Sequence, residues 1–373
     1  MLADRSSAKL YYEKLDRSTI TRQWLQDCDQ DHPGCRVGNN SIMPTRLVHT
    51  TNERTHCVLT AELTSRPLYA TLSHCWGTTE FFQLRCDNEQ LLREAIPDHE
   101  LRATFKDALR FVRSLGLEYI WIDSLCIVQD DDRDWLREAG RMSSVYGGSY
   151  INIAASDAKS AQEGLYATAD GWACGFRAEV STLRSDIESK ELLQFQFPFS
   201  DHHAMWFSHL ATRAWAFQEK ILSPRTIHFC KTGIVWECAG GRFNDALPEG
   251  LLYRSPDPRH NDGLVRRYRL NESFYDWWGD AVPRYAAAKI TRPRDRLPAI
   301  AGVARQLHER FQMDYFAGMW CDESIETQLC WLVLDERVLH PRPSYRAPSW
   351  SWVSIDSPAV LIRYARDRKS TVT

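Results

Sequence analysis

Between Leu68 and Ala154 the chain places three short apolar runs around two amphipathic helical stretches, an order that few folds accept. The runs are Leu68–Leu72, Tyr119–Ile122 and Tyr150–Ala154, and their β-branched and aromatic content fits strands buried on both faces. After the first run, Leu101, Phe105, Ala108, Val112 and Leu115 recur at steps of four and three, the apolar stripe of a helix. Gly116 supplies its C-terminal stop. After the second run, Trp135, Ala139, Met142 and Tyr146 mark another helical face, ended by Gly147-Gly148. Asp130, Asp131, Asp132 and Asp134 stand at its positive N-terminal end. Strand, helix, strand, helix, strand is the pattern of an α/β fold with a parallel sheet and crossover helices. Such a sheet delivers the C-terminal ends of its strands to one edge, where sites form. Ser73, His74, Asp123, Ser124, Ser156 and Asp157 are therefore expected to converge.

The rest of the chain divides around this core. Residues 1–45 read as an N-terminal helical and loop segment, with a helix over Thr19–Cys28. Residues 46–170 form the α/β core, which includes a short strand pair at Arg46–His49 and His56–Thr60. Residues 171–373 read as a mixed α+β region packed on it. This region holds a short helix before Pro224, a hairpin of Thr226–Cys230 with Ile234–Cys238, a loop from about 240 to 265, and helices over Asn271–Ala287 and Leu297–Phe311.

Charge and composition narrow the function classes. A net charge of −3 gives no general attraction to nucleic acid. The N-terminal stretch lacks the apolar core of a signal peptide, and no apolar run reaches membrane-spanning length. Eleven cysteines, an odd number without a secretory signal, point to reduced thiols in a cytosolic or nuclear compartment. Cys28, His32 and Cys35 have a spacing that three zinc ligands tolerate, with His49, His56 or Cys57 as a fourth. Buried thiols with a capping histidine are the preferred reading there, so no metal is assigned.

Several longer stretches stand in a fixed order: YATLSHCWG (69–77), YIWIDSLCIVQDDDRDW (119–135), the helix with Glu138 and Met142, and the strand ending at Ser156. TRAWAFQEKILSPR (212–225), IVWEC (234–238), DRLPAIAGVA (295–304) and APSWSW (347–352) follow. Together they resemble the fungal heterokaryon incompatibility (HET) domain family, over most of the chain from about residue 44 onward. The resemblance implies a fungal cytoplasmic protein tied to non-self recognition and programmed cell death. It also implies a distant likeness to Toll/interleukin-receptor (TIR) domains, some of which cleave NAD. Partners would be other incompatibility or receptor proteins, or further copies of the chain. Many relatives carry an added receptor or repeat region and continue beyond the PSWSW motif. Neither is seen here, which suggests a shortened or repurposed member.

For NAD cleavage, breaking the bond to nicotinamide develops oxocarbenium character that a carboxylate stabilises. Asp123, Glu138 and Glu219 are the catalytic candidates. Ser73, His74, Trp76, Gly77, Ser124, Gln129, Trp135, Arg213 and Gln218 are candidates for holding the ligand. No cofactor is assigned; NAD would be the substrate, and neither a GxGxxG nor a P-loop is present to bind it. Each acid also has a packing explanation: Asp123 caps a turn, and Glu138 pairs with Arg141 on its helix. A cysteine nucleophile is a second enzymatic reading. His74 cannot activate the adjacent Cys75 within a strand, because neighbours point to opposite faces, but it can meet Cys126. A third reading is a non-catalytic interaction scaffold braced by Trp215, Trp236, Trp350 and Trp352, and a fourth a short member repurposed for biosynthesis. Acids sharing one edge would favour catalysis; acids each locked by an arginine would favour a scaffold.

Overall fold

The computed structural model describes residues 7–11, 16–36, 42–166, 175–184, 187–196, 207–231, 233–245, 274–322, 325–333, 343–357 and 360–361. The strands are β1 (Ser7–Tyr11), β2 (Arg46–Thr50), β3 (Thr55–Leu59), β4 (Tyr69–Ser73), β5 (Tyr119–Trp121), β6 (Ile151–Ala154), β7 (Gly175–Arg184), β8 (Ile187–Gln196), β9 (Arg225–Cys230), β10 (Gly233–Cys238) and β11 (Gly241–Asn244). The helices that matter below are α1 (Arg17–Asp31), α2 (Glu89–Glu94), α3 (Ala103–Ser114), α4 (Asp123–Cys126), α5 (Asp132–Gly147), α6 (Ala214–Leu222), α7 (Phe274–Ala287) and α8 (Pro298–Phe311).

An eight-stranded sheet runs in the order β11-β10-β9-β6-β4-β5-β2-β3. Its centre, β9-β6-β4-β5, is parallel throughout. Antiparallel pairs β2-β3 and β10-β11 finish the two edges, with β2 antiparallel to β5 and β10 antiparallel to β9. The sheet is therefore mixed, where the sequence reading expected a parallel one with the later half packed against it. Strands from beyond residue 170 continue the same sheet. Strand periodicity shows which residues are buried, but not which distant strand lies alongside, and so the boundary at 170 does not follow the sheet.

The chain passes from β4 to β5 on one side and then returns to place β6 on the other side of β4. Right-handed crossovers then require α3 and α5 to cover opposite faces. The side chains of β4 show this. The Tyr69 hydroxyl donates to Val145 O on α5 at 2.7 Å, while the imidazole of His74, just past the strand, meets Phe105 of α3 edge-on at 5.0 Å. α6 and α8 pack with α5 on its side of the sheet. That packing is tight at Gly302, where an added Cβ would lie 2.7 Å from both Gln218 Oε1 and Ser143 Cβ.

Several tryptophans brace the later part. Trp278 and Trp320 meet edge-on at 5.4 Å, and Trp352 donates its indole N–H to Gly318 O at 2.8 Å. Gly318 has a φ of 94° and accepts that close ring approach because it has no Cβ. Among the described residues no helix is long and apolar enough to cross a membrane.

Candidate active site

The strand order reverses between β4 and β6, and the C-terminal ends of the strands at such a reversal are the usual ligand position in an open α/β sheet. Parallel register brings Ser73 beside Ala154 and Thr71 beside Trp121, so the residues after β4, β5 and β6 share one edge. Gly77 turns the chain away from β4 with a φ of 79°, and a Cβ there would fall 2.6 Å from Ser160 Cβ. Glycine is required at that turn.

Asp123 sits at the centre of this edge. It opens the short α4 and accepts from its neighbour Ser124 N at 2.7 Å and from Trp76 Nε1 at 2.9 Å. The Trp76 ring is held by an edge-on contact with Phe81 at 5.4 Å. Asp123 Oδ1 also lies 3.9 Å from His74 Nδ1. Gln129 braces the same turn from below, donating to Asp123 O at 3.1 Å and Ile127 O at 3.0 Å. Ser124 is fully buried with its hydroxyl unpartnered.

His74 is itself buried, and neither ring nitrogen makes a hydrogen bond of normal geometry. Burial pushes its pKa down to about 4, with Asp123 opposing and the Arg213 guanidinium reinforcing the drop. The ring is thus neutral at physiological pH. Arg213 donates to the carbonyl of His74, which ties the start of α6 to the end of β4. The preceding turn is tied to β6 by Leu210 N–H, which donates to Ser156 O at 2.9 Å.

Glu219, also on α6, is the most perturbed acid of the edge. Burial raises its pKa to about 7; Arg213 and the hydroxyls of Ser73 and Tyr146 pull it back, while Asp123 pushes it further up. Asp123 acts on His74, Glu219 and Tyr146 alike, so its charge is felt on both sides of the strand end. The Ser73 Oγ lies 3.1 Å from Asn152 Oδ1 as well as against Glu219, and Thr71 Oγ1 donates to the same Asn152 oxygen at 3.0 Å. Ser73, His74, Trp76, Asp123, Arg213 and Glu219 therefore form one connected group.

Other residues that the sequence singled out lie elsewhere. Glu138 is buried under Thr45, whose N–H donates to it at 3.4 Å, and is flanked by Arg137 at 3.4 Å and Arg141 at 3.7 Å. Beside it, Arg46 Nη1 spans both oxygens of Asp134 at 3.1 Å and its Nε reaches Glu89 at 3.0 Å. These acids are held by arginines, which matches the scaffold pattern. Gln218 Oε1 accepts from Gly302 N at 3.2 Å and is spent on helix packing. Trp135 stands on Trp215 at 6.4 Å and under Arg292 at 5.9 Å. Cys126 is buried near Cys57 and Arg46, its thiol pushed up by burial, and no hydrogen bond joins it to His74. That geometry removes the thiol-nucleophile pairing of the two. Asp157 accepts from Lys231 N at 2.7 Å and closes the β9-β10 turn.

Three participants escaped the sequence reading as site residues. Tyr146 registered only as part of a helical stripe, and Asn152 only as a member of a buried run. Its polar side chain inside the apolar run of β6 was the available signal. The third is His228 on β9, whose Nδ1 lies 3.1 Å from Ser156 Oγ and whose Nε2 lies 3.5 Å from Glu237 Oε2. Nothing local marks that pairing, since Ser156 and His228 meet only through the β6-β9 register.

Residues 69–219 match the model of the family described as Heterokaryon incompatibility protein (HET). The match starts at β4 and ends on Glu219, so it encloses the whole connected edge group. The motifs at 234–238, 295–304 and 347–352 lie beyond it. No curated protein and no solved structure matches the chain.

Proposed function

We propose that this chain, which carries a heterokaryon incompatibility domain over residues 69–219, acts in fungal incompatibility by a cell-death output whose chemistry is cleavage of NAD. The domain match supports the role in heterokaryon incompatibility. The observation that carries the chemistry is Glu219, a buried acid with a pKa near 7 at a strand-order reversal, next to Asp123 and Arg213. Groups poised near working pH are what proton transfer requires.

In this reading Asp123, oriented by Trp76 and Ser124, faces the ribose carbon as the bond to nicotinamide breaks. The bonding electrons leave with nicotinamide, and the carboxylate stabilises the oxocarbenium-like ribosyl cation. Water then adds to that carbon, and Glu219 in its ionised form takes the proton. The products are nicotinamide, ADP-ribose and one proton. Arg213 supplies positive charge for the pyrophosphate, and Trp76 presents a ring face for a base. The protein works in the cytoplasm, alongside other incompatibility proteins or further copies of itself.

The test is nicotinamide release from NAD by the purified full chain, followed by chromatography. Release is expected from wild type and from Glu138→Gln, and loss from Asp123→Asn and Glu219→Gln. No release by any wild-type preparation, oligomeric forms included, beside an active positive control would refute the enzymatic reading. A parallel arm expresses the chain in a fungal host, where viability should fall and Asp123→Ala should restore it. The arginine-locked Glu138 and Asp134 favour a second reading for that side of the domain, a rigid scaffold that presents the edge.

A further inference from the structure

α1 opens on Asp16, whose carboxylate accepts from Thr19 N at 2.9 Å, and it lays Trp24 against Trp236 of β10 at 6.1 Å. One turn separates Cys28 from His32 at its C-terminal end, so both project from one face. Pro33-Gly34 then folds a 3₁₀ turn that brings Cys35 back, its N–H donating to His32 O at 2.9 Å. The three side chains meet a fourth, Cys238, at the end of β10. The sulfur and ring-nitrogen atoms of Cys28, His32, Cys35 and Cys238 all lie within 4.8 Å of one another.

We propose that these four residues form a structural zinc site of the Cys₃His type. Tetrahedral zinc with ordinary bond lengths places sulfur atoms ~3.8 Å apart and sulfur ~3.5 Å from nitrogen. His32 Nδ1 lies 3.5 Å from Cys238 Sγ, which makes Nδ1 the ligating nitrogen. The other separations need only a small contraction.

The surroundings fit thiolates. Ala239 N donates to Cys35 Sγ at 3.3 Å, Gly240 N to Cys238 Sγ at 3.3 Å, and Arg225 Nε to Cys28 Sγ at 3.2 Å. Backbone N–H groups and a guanidinium pointed at sulfur are the outer-shell contacts that orient and stabilise metal-bound thiolates. Three thiolates and one Zn²⁺ leave a single negative charge, next to the buried Arg225, which donates to Cys28 and is also paired with Asp29. Gly240 is needed for the ring to seat: a Cβ there would fall 1.9 Å from His32 Cε1 and Nε2.

The sequence reading looked for a fourth ligand among His49, His56 and Cys57. Those residues lie on β2 and β3, at the far end of the sheet from β10. His49 stacks on Tyr119 at 4.7 Å, and the Cys57 thiol faces Leu125 O at 3.9 Å. With four protein ligands the site has no open position, so its role is to pin α1 to the edge hairpin.

Metal content of the full chain, purified with reductant and dialysed against metal-free buffer, tests this directly. One zinc per chain is expected in wild type and in Cys86→Ser, an exposed thiol outside the cluster, and it should be lost in Cys238→Ser and His32→Ala. Replacing zinc with Co²⁺ in the wild-type chain should give the intense visible bands of tetrahedral thiolate cobalt, a readout independent of how the variants fold. Wild-type protein with no more metal than Cys238→Ser and no such cobalt spectrum would overturn the proposal. So would a disulfide within the cluster, seen as fewer reactive thiols in the denatured, unreduced chain.

Discussion

Trp76 follows β4, Asp123 follows β5, and the indole Nε1 of the first donates to Oδ2 of the second at 2.9 Å. The bond spans the ends of two neighbouring parallel strands and fixes the carboxylate at the centre of the sheet edge. Trp76→Phe keeps a ring on Phe81 and deletes only the donor. A hydrogen bond to a carboxylate is worth about 1.5–3 kcal/mol at full burial, and Asp123 is partly exposed, so we expect a loss of about 1 kcal/mol in urea unfolding. Nicotinamide release should fall as well, because the carboxylate keeps only the Ser124 N–H bond.

His74 and Glu219 make opposite demands on pH. Glu219 rises from the ordinary value of 4.5 to about 7, so the folded state holds its proton longer and stability falls as pH rises through that window. His74 drops from 6.5 to about 4, so the folded state resists protonation and stability rises from pH 4 to 6.5. Each effect is on the order of 3 kcal/mol, and they cancel where the windows overlap. Glu219→Gln should therefore expose the His74 slope, with stability climbing between pH 4 and 6.5. His74→Phe should expose the reverse slope. Urea midpoints measured between pH 4.5 and 7.5 for the three proteins decide it; parallel curves would refute the assignment.

Asp134 and Arg46 are both buried and bound to each other. Removing one member leaves the other charge without its main partner in a dry site. Asp134→Ala is expected to cost about 3–5 kcal/mol, discounted somewhat because Glu89 still reaches Arg46. Glu138→Gln should cost less and leave nicotinamide release unchanged. Thermal unfolding beside the chromatographic assay separates the two effects.

Gly302→Ala tests the contact between α6 and α8. The added methyl would meet Gln218 Oε1 and Ser143 Cβ at 2.7 Å, and it also crowds Leu222 Cδ1 at 3.1 Å. Overpacking of this kind costs about 1–3 kcal/mol. Because α6 carries Arg213 and Glu219 toward the edge, activity should fall along with the melting temperature.

Much of the fold was legible because it rests on local repetition. The stripe from Leu101 to Leu115 and the runs at 69–73, 119–121 and 151–154 depend on neighbours a few positions away, and α3, β4, β5 and β6 formed where those patterns stand. From the order of these elements alone, Ser73, His74 and Asp123 were expected on one edge, which is where the register puts them.

What each polar group does was decided by partners far along the chain. Asp123 and Glu138 were both catalytic candidates by sequence. The Arg141 partner of Glu138 was legible in the helical spacing, but only tertiary contacts bury Glu138 beneath Thr45 and give Asp123 an indole donor at an edge. The pKa of Glu219 depends on burial, on the charge of Asp123 at α4 and on the hydroxyls of Ser73 on β4 and Tyr146 on α5, none of which local spacing records. Cysteine spacing shows the same division. Cys28, His32 and Cys35 are brought together by one helix turn and one 3₁₀ turn, both written locally. Cys238 joins them only because strand order sets β10 against α1, and burial of Trp24 against Trp236 is what holds that pairing.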